Sequence, residues 1–147
     1  MRIRTAETTD LQPVYALMCA LEDCALPEAA FAEIYAADLA RPAARYLVAE
    51  LDGAVRGFVS LHMARHLHHA ALVGELRELA VEEPYRGRGI GRELLLAARR
   101  EARAAGCVQL GLSCGFRRAR AHAFYERNGW KKDHYHFTYQ RLQEDSF

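Results

Sequence analysis

The stretch between Leu79 and Arg92 constrains the fold of this chain most strongly. A short apolar strand runs into a loop with three glycines in five positions, and the loop runs directly into an amphipathic helix. Glycines allow successive backbone N–H groups to turn inward without a Cβ clash, and the first turn of the helix adds unpaired N–H groups and a positive dipole end. Three arginines bring formal charge to the same place. The stretch therefore predicts a site for a pyrophosphate, the alternative being an ordinary surface turn rich in glycine and arginine.

Length and composition narrow the class of protein. At 147 residues with 51% hydrophobic residues, the chain predicts a single domain, 1–147, with a real core. A formal net charge of +1 argues against a nucleic-acid partner. No apolar run is long enough to span a membrane, and the N-terminus has no signal-peptide core. The four cysteines form no Cys-x-x-Cys motif, so we expect free thiols and a cytoplasmic location.

Hydrophobic periodicity predicts alternating strands and helices. The predicted order is β-α-α-β-β-β-α-β-α-β, which is a mixed α/β layer fold. Asp52-Gly53 predicts a two-residue hairpin turn. The predicted strands cover 3–7, 46–51, 55–62, 76–81, 108–112 and 130–142, and the helices begin after Asp10, at Pro27, at Ile90 and at Arg118.

The phosphate loop resembles the acetyl-CoA loop of the GNAT family of N-acetyltransferases. It reads Arg86-x-x-Gly89-x-Gly91 after a Leu-Ala-Val strand, and the predicted element order is also that of the family. The resemblance implies an α/β GNAT fold, with a mixed, mostly antiparallel central sheet flanked by about four helices and splayed at the acetyl-CoA site. It also implies acetyl-CoA as co-substrate. The residues implied to bind it are Leu79, Ala80, Val81, Arg86, Gly87, Arg88, Gly89, Ile90, Gly91, Arg92, Arg118 and Tyr125.

The segment from Ala121 to Trp130 resembles the fourth-helix motif of the same family. Tyr125 occupies the position that donates a proton to the sulfur of coenzyme A. The alternative interpretation is a core tyrosine on an amphipathic helix. The family often has an asparagine seven residues before this tyrosine, where this chain has Arg118.

Two glutamates in the strand before the loop are candidates for the general base. Several members of the family carry a catalytic glutamate at the position of Glu75, and Glu78 is the alternative. Ideal strand alternation points the two to opposite faces, although a bulge would change which one faces the amine. Arg77 could instead pair with either glutamate on a solvated face.

A histidine-rich segment precedes that strand. His66, His68 and His69 could share a divalent metal ion, because imidazoles two or three residues apart in an extended chain can converge; the alternative is a set of surface histidines. The segment also resembles the aminoalkylphosphonate N-acetyltransferases, which are associated with divalent cations. That resemblance implies an acceptor pocket lined by Arg45, His66, His68, His69, His134 and His136.

The leading hypothesis is therefore an acetyl-CoA-dependent N-acetyltransferase of a small primary amine, with an aminoalkylphosphonate as the best candidate. Other acceptors are an aminoglycoside, a polyamine, an amino acid or a protein amine. A non-catalytic acyl-CoA sensor is the alternative of another class, and Tyr125 argues against it. Alternating aromatic residues after Trp130 indicate a possible homodimer edge, with Tyr135, Phe137 and Tyr139 on one side.

Overall fold

The computed structural model describes residues 1–140 and 142–144. The chain forms two compact units, Met1–Leu112 and Ser113–Phe147, and each is described by itself. The prediction of one domain over 1–147 stays a prediction. In the part of the chain that the structure describes, no helix is both long and apolar enough to cross a bilayer.

The first unit is a five-stranded sheet with three α-helices. The strands follow one another in the order β1-β2-β3-β4-β5, and all neighbours are antiparallel except β4 and β5, which run parallel. This confirms the predicted α/β class with a mixed, mostly antiparallel sheet. The elements are β1 (Arg2–Thr5), α1 (Leu11–Glu22), α2 (Glu28–Leu39), β2 (Ala44–Leu51), β3 (Ala54–His66), β4 (Ala71–Val81), α3 (Ile90–Ala104) and β5 (Leu110–Leu112).

The β2–β3 turn forms where the sequence predicts it. Asp52 and Gly53 both have positive φ, 54° and 74°, as a two-residue hairpin turn requires. The next hairpin is longer than predicted, because β3 extends to His66 and β4 begins at Ala71. Backbone pairing between the two strands extends them through residues whose side chains carry no strand pattern.

The helices cover the two faces of the sheet. On one face, Tyr46 and Phe58 pack with residues of α1 and α2, including Val14 and Tyr35, in a buried apolar cluster. On the other face, α3 lies so close to β3 that a Cβ on Gly57 would stand 2.9 Å from Leu94 Cδ1. Each fully buried large side chain contributes roughly 1.5–3 kcal/mol of transfer free energy, so this two-sided core fixes the sheet.

The second unit contains the fourth helix, α4 (Ala119–Arg127), which ends before Gly129 at a φ of 88°. The predicted strand over 130–142 is wrong for the described residues, because no strand forms in 130–140 and a short 3₁₀ turn covers Leu142–Glu144. Arg141 lies outside the described residues. A strand needs a partner, and the described part of this unit has no other strand to provide one. The aromatic alternation is therefore not sufficient by itself, and Tyr135, Phe137 and Tyr139 are 72–92% exposed.

Candidate active site

The glycine loop links the end of β4 to the start of α3. Gly87 and Gly89 have φ of 79° and 84°, and a Cβ on either would meet no atom within 4 Å. These glycines are therefore required by backbone conformation rather than by lack of space. Gly89 is the N-cap of α3 and provides no side-chain cap, which leaves the first-turn N–H groups for a ligand.

The arginines of the loop are held in different ways. The Arg86 guanidinium donates from Nε to the carbonyl oxygen of Val81 at 3.0 Å, which ties the loop back to β4. Arg88 stacks over the ring of Tyr85 at 4.8 Å. Arg92 is exposed and lies 3.8 Å from Glu93, a weak surface pair. The loop thus presents exposed positive charge beside helix N–H groups, which is a chemically suitable place for a pyrophosphate.

The edge of β4 is open beside this loop. β5 pairs with β4 only at Gly74, Glu75 and Leu76, whereas β4 continues to Val81. This is the splay expected of the fold. In the described part of the first unit no strand pairs with the end of β4 on the β5 side, so an extended ligand with amide groups could hydrogen-bond there as an added strand.

A β-bulge lies in β4 at the middle of the sheet. Val59 pairs with Leu79 and Leu61 pairs with Leu76, so Ser60 alone faces two residues, Arg77 and Glu78. Directly paired residues of antiparallel strands point to the same face. Ideal alternation is therefore the wrong description here, because the extra residue brings both candidate glutamates to the face that α1 and α2 cover.

Glu78 is half-buried and hydrogen-bonded at the bulge. The Ser60 hydroxyl donates to Glu78 Oε1 at 2.8 Å, and Ser60 Oγ accepts the Glu78 backbone N–H at 3.0 Å. Burial raises the pKa of the Glu78 carboxyl above its ordinary value, with the Ser60 hydrogen bond acting in the opposite direction. The Glu78 carboxylate is therefore fixed in position and more basic than usual, as a general base requires.

Glu75 has a different environment on the same face. Its carboxylate is exposed and forms a pair with Arg77, with an Nε to Oε1 distance of 3.0 Å. This is the solvated pair that the sequence left open as an alternative. A carboxylate so exposed is screened by water and is a weaker candidate for the base than Glu78.

The structure adds a polar group that sequence reasoning missed. His62 is 8% exposed, and its ring lies 6.1 Å from the Tyr46 ring in an edge-on arrangement. Burial first, and Arg77 second, lower the pKa of the His62 imidazole and favour its neutral form. The Tyr46 hydroxyl donates to the buried carboxylate of Asp38, and burial together with this hydrogen bond raises the pKa of Tyr46.

These residues share one face because of register. Tyr46 pairs with Ser60, and Glu75 pairs with His62, so all four point to the side of Glu78. In the sequence, the only indication of this cluster is that Ser60 and His62 alternate in β3. Their common face can be assigned only when the pairing with the neighbouring strands is known. The resulting polar cluster consists of Asp38, Tyr46, Ser60, His62, Glu75 and Glu78.

Arg45 does not join this polar cluster. It pairs with Leu61, which places it on the opposite face of the sheet, and its Nε lies 3.5 Å from Glu101 of α3. The predicted contact between Arg45 and the acceptor therefore conflicts with the register of β2. The adjacent Tyr46, which pairs with Ser60, points to the face of the polar cluster instead.

Tyr125 lies in α4 of the second unit. Its ring packs against Phe124 and Trp130, at 5.4 Å and 6.1 Å between centroids, and its carbonyl oxygen accepts the Trp130 N–H. Burial raises the pKa of the Tyr125 phenol, whereas the nearby Arg118 lowers it. The phenol therefore holds its proton at neutral pH, which is the state that an acid for a thiolate requires.

The predicted histidines fall into separate places. His66, His68 and His69 lie together at the β3–β4 turn. The start of β4 at Ala71 is seven residues from Glu78, which corresponds to about 23 Å along the strand at 3.3 Å per residue. The structure thus brings the three to each other and not to the polar cluster. In the second unit, His134 Nδ1 lies 2.6 Å from Asp133 and His136 Nδ1 lies 3.5 Å from Ser113 Oγ.

Comparison with known proteins agrees with this geometry. The family model described as Acetyltransferase (GNAT) family matches residues 11–130. Over 136 residues the chain is 46% identical to a protein of Salmonella typhimurium named aminoalkylphosphonate N-acetyltransferase, covering 92% of this chain and 88% of that one.

Solved structures show the same fold. A putative acetyltransferase from Agrobacterium tumefaciens superposes with a TM-score of 0.87 at 26% identity, covering 96% of this chain and all of that one. An aminoglycoside N-acetyltransferase, AAC(6′)-Iy, in complex with CoA superposes with a TM-score of 0.87 at 19% identity, covering 96% and 94%. The loop, the splayed sheet and these similarities lead to one conclusion: the chain belongs to the GNAT family and is an N-acetyltransferase.

Proposed function

We propose that this enzyme transfers the acetyl group of acetyl-CoA to the primary amine of a small aminoalkylphosphonate. The observation that carries the choice of acceptor is the 46% identity, over nearly the whole of both chains, to the Salmonella protein of that name. The bulge in β4 supports the same class of acceptor, because it combines a half-buried base, Glu78, with the positive charge of Arg77.

Acetyl-CoA binds at the glycine loop and along β4. Its pyrophosphate takes the N–H groups of Gly87 to Gly91 and the positive charge of Arg88 and Arg92. The pantetheine arm lies extended against Leu79, Ala80 and Val81 at the open edge, where its amides replace the missing strand. This arrangement directs the thioester toward the bulge that carries Glu78.

The amine becomes a nucleophile by losing a proton to Glu78. An alkylammonium ion has a pKa of about 10, so roughly 4 kcal/mol separates it from the free amine at pH 7. Glu78 takes the proton directly or through one water, and Ser60 holds the carboxylate in place. Glu75, on the same face, can relay the proton to solvent.

The acyl transfer then proceeds by direct attack. The amine nitrogen forms the new N–C bond at the thioester carbonyl, the C–S bond breaks, and the electron pair leaves on sulfur. Tyr125 gives its phenolic proton to the coenzyme A thiolate, and the second proton of the amine nitrogen, lost as the amide forms, restores the phenol. The three histidines predicted to hold a divalent cation lie at the β3–β4 turn, at the other end of β4 from Glu78.

The phosphonate group requires positive charge near the amine site. Arg77 lies at the bulge beside Glu78, and its charge reaches both Glu78 and His62, whose pKa values it lowers. Arg41 lies at the other side of the polar cluster, 3.2 Å from Asp38. We assign recognition of the phosphonate to Arg77 first, because its partner Glu75 is exposed and exchangeable.

The test is a thiol-release assay with acetyl-CoA and a set of amines. The acceptors are 2-aminoethylphosphonate, its methyl homologue, ethylamine as the matched amine without the anion, spermidine and an aminoglycoside. Turnover of the two phosphonates with much higher kcat/KM than ethylamine supports the proposal. Preferred turnover of spermidine or the aminoglycoside would keep the donor site and reject the acceptor.

A further inference from the structure

Two cysteines lie at the C-terminal end of α1. Asp23 has a φ of 53°, and its N–H donates to the carbonyl oxygen of Ala20 at 3.3 Å. The Cys24 N–H donates to the carbonyl oxygen of Cys19 at 3.1 Å. These two hydrogen bonds define a Schellman motif, in which the side chains of the first and the last residue commonly meet. In α1 those two residues are Cys19 and Cys24.

The second hydrogen bond limits the distance between the two cysteines. With standard bond lengths, an N to O distance of 3.1 Å holds the Cα atoms of Cys19 and Cys24 within about 7 Å of each other, even if all the bonds lay in line. Because these bonds meet at angles, the separation is shorter than this limit. Disulfides in proteins join Cα atoms that are about 4.4–6.8 Å apart. The backbone of the turn therefore places the pair within the range of a disulfide.

The sulfur of Cys19 faces the segment that contains Cys24. Cys19 Sγ accepts the backbone N–H of Leu26 at 3.4 Å, and Leu26 is two residues beyond Cys24. The Tyr15 hydroxyl donates to the carbonyl oxygen of Leu26 at 2.6 Å, which ties this segment to the helix. The hydrogen bond with Cys19, and then burial, raise the pKa of the Tyr15 phenol to about 12, and Cys24 acts in the same direction. Both thiols therefore lie near the same hydroxyl.

The two thiols differ in their access to solvent. Cys24 is exposed, whereas Cys19 is half-buried. A small dissolved disulfide can therefore reach Cys24, and Cys19 is placed to attack the Cys24 sulfur from within the turn. We propose that Cys19 and Cys24 are a modification site, at which a small disulfide such as oxidised glutathione converts the pair to an intramolecular disulfide. The bond joins the end of α1 to the segment before α2, and the proposal does not depend on the proposed function.

The modification proceeds by two thiol–disulfide exchanges. The Cys24 thiolate attacks one sulfur of oxidised glutathione, forms a mixed disulfide and releases a glutathione thiolate, which takes up the proton that Cys24 lost. The Cys19 thiolate then attacks the Cys24 sulfur, forms the Cys19–Cys24 bond and releases the second glutathione in the same way. The pair loses two electrons and two protons, and oxidised glutathione gains them as two molecules of glutathione.

The new bond closes a loop of six residues, from Cys19 to Cys24. A cross-link stabilises a fold by restricting the unfolded chain, provided that the folded backbone accommodates the bond. The Schellman motif already holds the two backbone segments together, so the bond requires little rearrangement. We expect the Tm of the oxidised protein to exceed that of the reduced protein by about 4–8 °C.

The experiment incubates the enzyme in buffers of graded oxidised to reduced glutathione, alkylates the remaining thiols and analyses the peptides by mass spectrometry. The wild-type peptide should be two hydrogen atoms lighter and carry no alkyl group on Cys19 or Cys24, and dithiothreitol should reverse the change. Cys19→Ser should stop at the mixed disulfide of Cys24 with glutathione, because the second attacking thiol is absent. Cys107→Ser is the matched control, because Cys107 is also half-buried but lies after α3, and this variant should form the Cys19–Cys24 bond as wild type does.

Two results would overturn the proposal. In the first, both wild-type cysteines stay thiols, or glutathione stays attached to Cys24 as in Cys19→Ser, which would mean that the two sulfurs do not reach each other. In the second, the Cys19–Cys24 bond forms but leaves Tm unchanged or lowers it, which would mean that the turn is strained by the bond. Neither measurement uses acetyl-CoA or an acceptor amine, so failure of the proposed function is seen separately.

Discussion

Replacement of Glu78 by glutamine tests the proposed base most directly. The amide has the same size and its oxygen can still accept the Ser60 hydroxyl, so the change removes the basic charge alone. General base catalysis contributes about 10² to 10⁴ in rate. We expect a loss of about 10² to 10³ in kcat/KM, or roughly 3–4 kcal/mol in activation free energy, because water or Glu75 on the same face can take over part of the proton transfer.

The pH dependence of the variants gives an independent check. Because burial raises the pKa of Glu78, wild-type kcat/KM should fall on acidification at a pH above the ordinary carboxyl range, as the base becomes protonated. This acid limb should disappear in Glu78→Gln. In Ser60→Ala it should move to higher pH, because the Ser60 hydrogen bond lowers the pKa of Glu78.

Stability should respond in the opposite sense to activity. Since the folded-state pKa of Glu78 is raised, the folded protein binds more protons than the unfolded chain between the two pKa values, and ionisation of Glu78 destabilises the fold at neutral pH. Glu78→Gln should therefore have a Tm at pH 7 at least equal to that of wild type, measured by differential scanning calorimetry.

The control is Glu75→Gln, which alters the exposed member of the pair with Arg77. It should retain kcat/KM to within a few fold, and all variants should bind acetyl-CoA normally by calorimetry. A Glu78→Gln enzyme with nearly wild-type kcat/KM, or a Glu75→Gln enzyme that loses more, would refute the assignment of the base.

Three further predictions concern the donor site, the acid and the core. Tyr125→Phe should lower kcat by about 10² to 10⁴, the range of general acid catalysis, with acetyl-CoA affinity near normal; a large loss of affinity would make the phenol structural instead. Gly89→Val should abolish acetyl-CoA binding in calorimetry, because valine does not tolerate a φ of 84°. Gly53→Val is the control, because it imposes similar strain on the β2–β3 turn, and the folded variant should still bind acetyl-CoA. An equal loss of acetyl-CoA binding in both variants would mean that Gly89 acts only through stability. Phe58→Ala should lower the free energy of unfolding by about 3–5 kcal/mol in urea titration, since Phe58 is 2% exposed, and a loss below about 1 kcal/mol would contradict the described core.

Local sequence was sufficient to predict the elements around the proposed acetyl-CoA site. The glycine loop, the Asp52-Gly53 turn and the helix over Ile90–Ala104 depend on backbone freedom and short-range periodicity, both of which can be read along the chain. The mixed, mostly antiparallel sheet was instead predicted from the resemblance to the GNAT family. It failed over 130–140, because a strand depends on a partner that alternating aromatic residues cannot specify.

The polar cluster could not be read from the sequence, because it depends on strand register. A single extra residue at Arg77–Glu78 turns two glutamates to one face and sets them opposite Ser60 and His62 of the neighbouring strand β3. Register also moves Arg45 to the α3 side and brings Tyr46 and Asp38 together. The sequence by itself determined the glycine loop that we propose as the acetyl-CoA site, through local backbone geometry. Only the tertiary structure decided which side chains form the polar cluster, because a one-residue shift in pairing reverses the face of every residue beyond it.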